Sequence, residues 1–234
     1  MIILSKKRLA LISSMVLIAL FTFVFQTANK TVETVSLPVS NKVIVLDAGH
    51  GKPDEGAESS TGTTEAQTNL KIVLKVQSLL EQSGATVILT RSDENGIYDL
   101  DKNTLREKKI SDIRNRVKIG NESQADIFVS IHLNKIPQNQ YYGWQCFYKQ
   151  NDENSTKLAK SLQQNLNEAI QKENKREAMK LNKVYIMKHV EIPISIVECG
   201  FLSNPEEEKQ LLDDEYQDKL AWGIFNGIMD YFYI

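Results

Sequence analysis

Residues 43–51 have the sequence VIVLDAGHG, in which four apolar residues lead into an acid, two small residues, a histidine and a glycine. Short β-branched runs that are closed by glycine are typical of strands covered on both faces. His50 therefore follows the carboxyl end of a predicted buried strand, which is where open α/β sheets bind ligands. One such histidine is weak evidence for a site, because it can equally cap a loop.

Strand-like and helix-like segments alternate along the rest of the chain. Further apolar, strand-like runs occupy 85–90, 125–134, 143–148 and 192–200. Apolar residues at helical spacing predict helices near 64–82, 105–120, 155–170 and 215–231, with another beginning after Asn204. The charged stretch 168–180 is predicted to be a solvated helix end or loop, and 184–187 is an apolar piece of undecided type. This alternation predicts an α/β domain of three layers, α/β/α, with a mostly parallel sheet.

An apolar run at the start of the chain predicts export. Three basic residues, 6–8, precede about 17 mostly apolar residues, the lower limit for a membrane-spanning helix. No A-x-A cleavage site is evident, so residues 1–27 are either a signal peptide or an uncleaved signal-anchor helix. The positive-inside rule then places the remainder of the chain outside the cytoplasmic membrane.

The segment after this leader predicts a linker and then one folded domain. Residues 28–41 are polar and contain a proline, so the domain is expected over 42–234. Without the leader, whose three charges are all basic, the formal charge falls from −2 to −5, which argues against a nucleic-acid partner. Cys146 and Cys199 lie in strand-like runs where packing is expected, although a single bridge between them is an open alternative.

Three predicted strands end in residues that can bind a metal or move a proton. The runs VIVLDAGH, IFVSIH and ISIVE place His50, His132 and Glu198 at one edge of the predicted sheet. Imidazoles combined with a carboxylate are a frequent ligand set for hydrolytic zinc. Among the acids that follow His50, Glu65 begins a periodic helix, which would fix it on rigid structure. The loop acids, Asp54 among them, are expected to face solvent.

Two carboxylates have alternative interpretations. Glu198 can act as a carboxylate that does not bind the metal, taking a proton from zinc-activated water and passing it to the leaving group. Alternatively, it forms a salt bridge at the end of its strand and has no catalytic role. Asp47 can orient a ligand imidazole, but a hydrogen bond to the backbone at the turn is the preferred interpretation.

Four segments in this order, LDAGHG, TEAQTNL, SIHLN and VECGFLSN, resemble the motifs of the zinc-dependent N-acetylmuramoyl-L-alanine amidases. The resemblance extends from about Lys42 to the end of the chain. It implies a phosphorylase/hydrolase-like fold and one Zn²⁺ ion held by His50, Glu65 and His132. It also implies that Glu198 is the catalytic carboxylate.

The resemblance implies hydrolysis of the amide between the lactyl group of N-acetylmuramic acid and L-alanine in peptidoglycan. The short leader, brief linker and single domain are similar to the germination-specific, spore-cortex members of the family. That similarity implies action on the forespore cortex, with a muramic acid deacetylase, in muramic-δ-lactam formation. Because no wall-binding repeats are evident, localisation is expected to depend on the anchor or on a partner protein, and a protein activator is an open alternative. Arg91 and Asn134 border the predicted edge and either bind substrate or are structural.

Two other functions remain open from the sequence. An exported zinc peptidase or deacetylase would share the metal chemistry and differ only in its product. A non-catalytic peptidoglycan-binding module would retain the polymer without hydrolysing it.

Overall fold

The computed structural model describes residues 6–28 and 36–233 and divides the chain into two units. The first unit contains one helix, α1 (Lys6–Ala28). None of the described helices combines the length and the apolar character that crossing a membrane requires. Parts of the predicted leader and linker, residues 1–5 and 29–35, lie outside the described residues.

The second unit begins at Leu37, before the predicted domain start at residue 42. Val39 is fully buried in the core of this unit. The Ser40 hydroxyl donates to the Ser83 carbonyl at 3.3 Å. The end of the predicted linker is thus part of the folded domain, because its one buried valine packs like a core residue.

Six strands and six helices make up the described part of this unit. The strands are β1 (Val43–Ala48), β2 (Thr86–Leu89), β3 (Ile127–Asn134), β4 (Gln145–Tyr148), β5 (Met179–Lys180) and β6 (Ile194–Phe201). The helices are α2 (Glu65–Gln82), α3 (Leu105–Glu122), α4 (Glu153–Ile170), α5 (Tyr185–His189), α6 (Pro205–Leu211) and α7 (Asp214–Tyr233). The undecided piece 184–187 contributes to α5. The two-residue strand β5 lies in the stretch predicted to be a helix end or loop.

The sheet has the order β2-β1-β3-β6-β4-β5. Strands β2, β1, β3 and β6 are parallel neighbours, whereas β4 runs antiparallel to β6. Strand β5 is parallel to β4. The predicted mostly parallel sheet is therefore confirmed, with the edge pair β4 and β5 running opposite to the other four strands. Cys146 on β4 and Cys199 on β6 are free and buried, as the packing interpretation expects.

Helices cover both faces of this sheet and produce the predicted three layers. Ile44 and Leu46 of β1 face a core shared with α2, α4 and α7. Val45, which points the other way, joins Phe128 and Val117 in a core closed by α3 and α5. Because successive strand residues point to opposite faces, a strand covered on both sides is apolar throughout. Each fully buried side chain of this size contributes about 1.5–3 kcal/mol of transfer free energy.

Candidate metal centre

The ends of three parallel strands bring the predicted site residues to one edge of the sheet. His50 follows β1, which pairs with β3 through Ala48 and Ile131. His132 on β3 is the register partner of Glu198 on β6. Strands β1, β3 and β6 run in the same direction, so their carboxyl ends meet, as the sequence predicts.

Glu65 lies between the two histidines. Its Oε1 atom is 3.0 Å from His132 Nδ1 and 3.4 Å from His50 Nε2. The two imidazole rings meet edge to face, with centroids 5.1 Å apart. One potential ligand atom from each of the three residues lies within 4.8 Å of the others. Within residues 6–28 and 36–233, this is the one group of three or more such side chains that can hold a metal ion.

The start of α2 fixes the Glu65 carboxylate. Thr64 caps the helix and forms a reciprocal capping box with Gln67, so the helix begins at Glu65. The two carboxylate oxygens also accept backbone N–H groups, Oε1 from Leu133 at 3.1 Å and Oε2 from Ala57 at 3.0 Å. These bonds orient the carboxylate before any ligand binds.

Burial and neighbouring charges shift the pKa values of Glu65 and His50. Burial favours the neutral form of Glu65, but hydrogen bonds and charge from His132 and His50 outweigh it and hold the pKa of the Glu65 carboxyl well below its usual range. Burial disfavours charged His50, but Asp54 and Glu65 outweigh it and raise the His50 pKa to about 9. The site is therefore an electronegative pocket that attracts a cation, whether a proton or a metal.

Glu198 lies beside this group without belonging to it. Its Oε2 atom is buried and has no hydrogen-bond partner among the described residues. Burial raises the pKa of the Glu198 carboxyl; nearby His132 partly offsets this rise and Glu65 adds to it. A buried, unpartnered carboxylate oxygen is costly, so such groups commonly have a functional reason. The salt-bridge alternative receives no support, because no cation pairs with Glu198 in the described part of the chain.

Asp54 turns back towards His50, contrary to the expectation that the loop acids face solvent. Its Oδ2 atom is 3.3 Å from His50 Nδ1, and its Oδ1 atom is 2.9 Å from Lys109 Nζ. Reciprocal backbone bonds between Gly51 and Asp54 make the turn that redirects the side chain. Burial would raise the Asp54 pKa, but His50 and Lys109 lower it to about 2. Asp54 thus orients the His50 ring through Nδ1, while Nε2 faces Glu65.

The backbone at His50 adopts an unusual conformation that an arginine stabilises. The φ angle of His50 is +62°, in the left-handed region that residues other than glycine rarely occupy. Arg116 of α3 donates to the carbonyls of His50 at 2.6 Å and Ala48 at 2.7 Å. The same guanidinium pairs with Asp47 at 2.6 Å. Arg116 therefore ties the turn that carries His50 to the sheet.

Comparison with known proteins identifies the family to which this fold belongs. The profile of the N-acetylmuramoyl-L-alanine amidase family (Amidase_3) matches residues 44–230, most of the chain. The chain belongs to this family. A curated relative, the germination-specific N-acetylmuramoyl-L-alanine amidase of Bacillus subtilis, is 37% identical over 92% of this chain and 91% of its own.

Solved structures agree with this family assignment. The CwlD amidase of Clostridioides difficile, determined in complex with the GerS lipoprotein, is 44% identical with a TM-score of 0.79, over 82% of this chain and 98% of that one. The catalytic domain of the amidase CwlV of Paenibacillus polymyxa is 31% identical with a TM-score of 0.70, over 81% and 97%. Membership of the amidase family, which the four motifs predict, is confirmed.

Arg91 of this amidase does not face the site as a substrate ligand would. It is buried, and its guanidinium donates to the carbonyls of Ala48 at 2.8 Å, Gly49 at 3.1 Å and Ala66 at 2.7 Å. Because its donors are occupied by backbone carbonyls, the structure favours the structural alternative for Arg91. Asn134 pairs with β6 through its backbone, and its role in binding substrate stays a prediction.

Asp47 of this amidase contacts side chains and not the backbone of the turn. It is buried and accepts from the hydroxyls of Thr90 at 2.7 Å and Ser130 at 2.5 Å, besides Arg116. The preferred interpretation of Asp47 was therefore wrong in its partners, since the buried charge is neutralised by an arginine from α3. A buried aspartate at the end of an apolar strand requires such a counterion. The aspartate in VIVLDAGH is therefore the feature of the sequence that predicts a basic partner, which the structure identifies as Arg116.

Proposed function

We propose that this chain is a zinc-dependent amidase that hydrolyses the bond between the lactyl group of N-acetylmuramic acid and L-alanine of peptidoglycan. One observation carries the proposal: in a member of the amidase family, His50, Glu65 and His132 converge beside Glu198, whose Oε2 atom has no hydrogen-bond partner among the described residues. A peptidase or deacetylase would use the same metal chemistry, and family membership favours the muramoyl amide.

The described residues fit a single zinc ion. Two imidazole nitrogens and one carboxylate oxygen, within 4.8 Å of one another, match the three-ligand sets of hydrolytic zinc enzymes, which keep another position open. The hydrogen bond that Asp54 accepts from His50 matches the carboxylate–histidine pairing common around zinc ligands. We propose His50, Glu65 and His132 as the ligands.

The proposed mechanism assigns proton transfer to Glu198. Zinc, when bound, supplies Lewis-acid chemistry that polarises the amide carbonyl and lowers the pKa of water. Glu198 accepts a proton from the attacking water and delivers it to the amide nitrogen as the carbon–nitrogen bond breaks. The products are the free lactyl carboxylate and a peptide that begins with L-alanine. The unpartnered Oε2 of Glu198 can take this proton without first breaking a protein hydrogen bond.

The proposed setting is the spore cortex. The relative in Bacillus subtilis is germination-specific, and removal of the stem peptide would prepare muramic acid for a deacetylase and for lactam formation. Peptidoglycan lies outside the cytoplasmic membrane, so the leader would direct export as a signal peptide or an anchor. The similar CwlD amidase forms a complex with a lipoprotein, which supports a protein partner for this chain too. The mass and membrane association of the mature protein would distinguish a cleaved leader from an anchor.

Incubation of the zinc-supplied chain with intact peptidoglycan tests the proposal. Mass spectrometry of the soluble products should detect stem peptides that begin with L-alanine, together with peptide-free muramic acid in the glycan. Release of acetate or of internally cleaved peptides would instead identify a deacetylase or a peptidase. Retention of the polymer without any product, at full zinc occupancy, would indicate a binding module.

Gly49 is predicted to be required for zinc binding. A Cβ atom at this position would lie 2.3 Å from His132 Nε2 and Cε1, so Gly49→Ala must displace a proposed ligand. Displacements of about 1 Å at a site are costly, and we expect zinc affinity to fall by roughly 10- to 100-fold in chelator competition. Lys71→Ala is the control, because Lys71 is an exposed residue of α2, the helix that begins with Glu65. Equal zinc affinities in the two variants would contradict the proposed ligand arrangement.

A further inference from the structure

A cleft of about 380 Å³ includes His50, His132 and Glu198 of the proposed zinc site in its lining. Its apolar lining residues are Leu181, Val184 and Ile186 from the segment around α5, together with Ile113 of α3. Its other lining residues include the cations Lys109 and Arg116 and the acids Asp54 and Asp112. The cleft can therefore hold an extended chain that carries both apolar groups and a charge.

Two of the charged residues that line the cleft are cations, Arg116 and Lys109. They differ in how many of their hydrogen-bond donors are already used. Arg116 is 3% exposed, and its guanidinium already binds Asp47, Asp112 and backbone carbonyls. The side chain of Lys109 is 49% exposed, and its ammonium has one recorded partner in the described residues, Asp54 at 2.9 Å. An ammonium carries three donors, so Lys109 can bind an anion in the cleft while it keeps Asp54. Because the ion pair between Lys109 and Asp54 is partly exposed, it is weak and competes little with a bound anion.

We propose that Lys109 binds the carboxylate of the second residue of the stem peptide, next to L-alanine. This inference rests on the proposed amidase function and names the part of the substrate that the cleft selects. The muramic acid carboxyl is consumed in the scissile amide, so a carboxylate near that bond must belong to the peptide. Lys109 is separated from the His50 ring by the single carboxylate of Asp54. That separation is on the order of two extended residues.

The inference predicts a preference between two forms of the substrate. Peptidoglycan exists with the second-residue carboxylate either free or amidated, and the amide removes the charge without changing the shape of the peptide. We expect the wild-type enzyme to hydrolyse the carboxylate form with a kcat/KM roughly tenfold higher, mainly through a lower KM, which corresponds to one charge-assisted contact. The apolar lining residues around α5 carry no charge, so they do not distinguish the two forms.

Soluble muropeptides in these two forms, tested on zinc-loaded full-length protein, provide the experiment. Lys109→Gln should remove the preference by slowing the carboxylate substrate alone, and Lys109→Arg should keep it. Lys108→Gln is the matched control, because Lys108 neighbours Lys109 on α3 but lies over the Tyr98 ring at 4.9 Å, outside the residues that line the cleft. Zinc affinity, measured separately by chelator competition, should be equal in all four proteins.

The outcomes separate this inference from the function on which it rests. Equal hydrolysis of the two forms by the wild type would overturn the Lys109 inference and leave the amidase intact. An equal loss on both forms in Lys109→Gln, with weaker zinc binding, would also overturn it, because Lys109 would then act only by positioning Asp54. Hydrolysis of neither form by the zinc-loaded wild type would overturn the proposed amidase function itself, and this inference with it.

Discussion

Replacement of Glu198 by glutamine is expected to lower kcat for muramoyl amide hydrolysis by roughly 10²- to 10⁴-fold, with zinc binding retained. Glutamine has the shape of glutamate but cannot accept a proton from water. Glu198 stands outside the group of three proposed ligands, so its substitution leaves their donor atoms in place. Release of stem peptide measures kcat, and chelator competition measures zinc affinity.

The pattern across these two measurements is what tests the role of Glu198. Glu206→Gln is a suitable control, because Glu206 is an exposed acid in the first turn of α6. A Glu198→Gln protein that keeps a near wild-type kcat would exclude Glu198 as the proton carrier. Loss of zinc together with activity would instead make Glu198 a ligand. Since Glu198 Oε2 has no partner in the described residues, the substitution breaks no hydrogen bond at that atom that could unfold the site.

The strand ends were predictable because parallel topology alone determines where they meet. Apolar runs identified β1, β3 and β6, and placing His50, His132 and Glu198 at one edge required only that these strands be parallel neighbours. Glu65 was predictable from the helical period that starts there, and the capping box of Thr64 and Gln67 fixes that start. These positions depend on local patterns that a sequence displays.

The contacts that hold the site were not predictable, because they depend on the path of a loop. Arg91 at a strand end resembles a substrate ligand, but the turn at His50 directs backbone carbonyls towards its guanidinium. Asp54 contacts His50 only because the chain reverses at Gly51. The left-handed conformation of His50 has no sequence signature, since histidine rarely adopts it. Similarly, the antiparallel direction of β4 follows from long-range packing and not from local patterns.

Replacement of Arg116 by methionine is expected to cause the largest loss of stability among these variants, about 3–5 kcal/mol in the free energy of unfolding. The reason is that Asp47 would remain buried without its guanidinium partner, with its charge stabilised by two hydroxyl donors and the more distant His132. Although burial would raise the Asp47 pKa, Arg116 and these hydroxyls hold it below its usual range in the intact protein. Chemical denaturation measures the loss. Arg114→Met, an exposed position on the same helix, is the matched control.

A double variant separates the role of Arg116 in stability from its role in the site. Asp47→Asn combined with Arg116→Met removes both buried charges, so most of the lost stability should return. Zinc affinity should be low in both the single and the double variant, because in each the His50 carbonyl lacks its donor at 2.6 Å and the strained turn would relax towards ordinary backbone angles. Recovery of zinc affinity along with stability would show that Arg116 serves folding alone. A stable double variant that binds zinc poorly would instead establish that Arg116 stabilises the conformation in which His50 can act as a ligand.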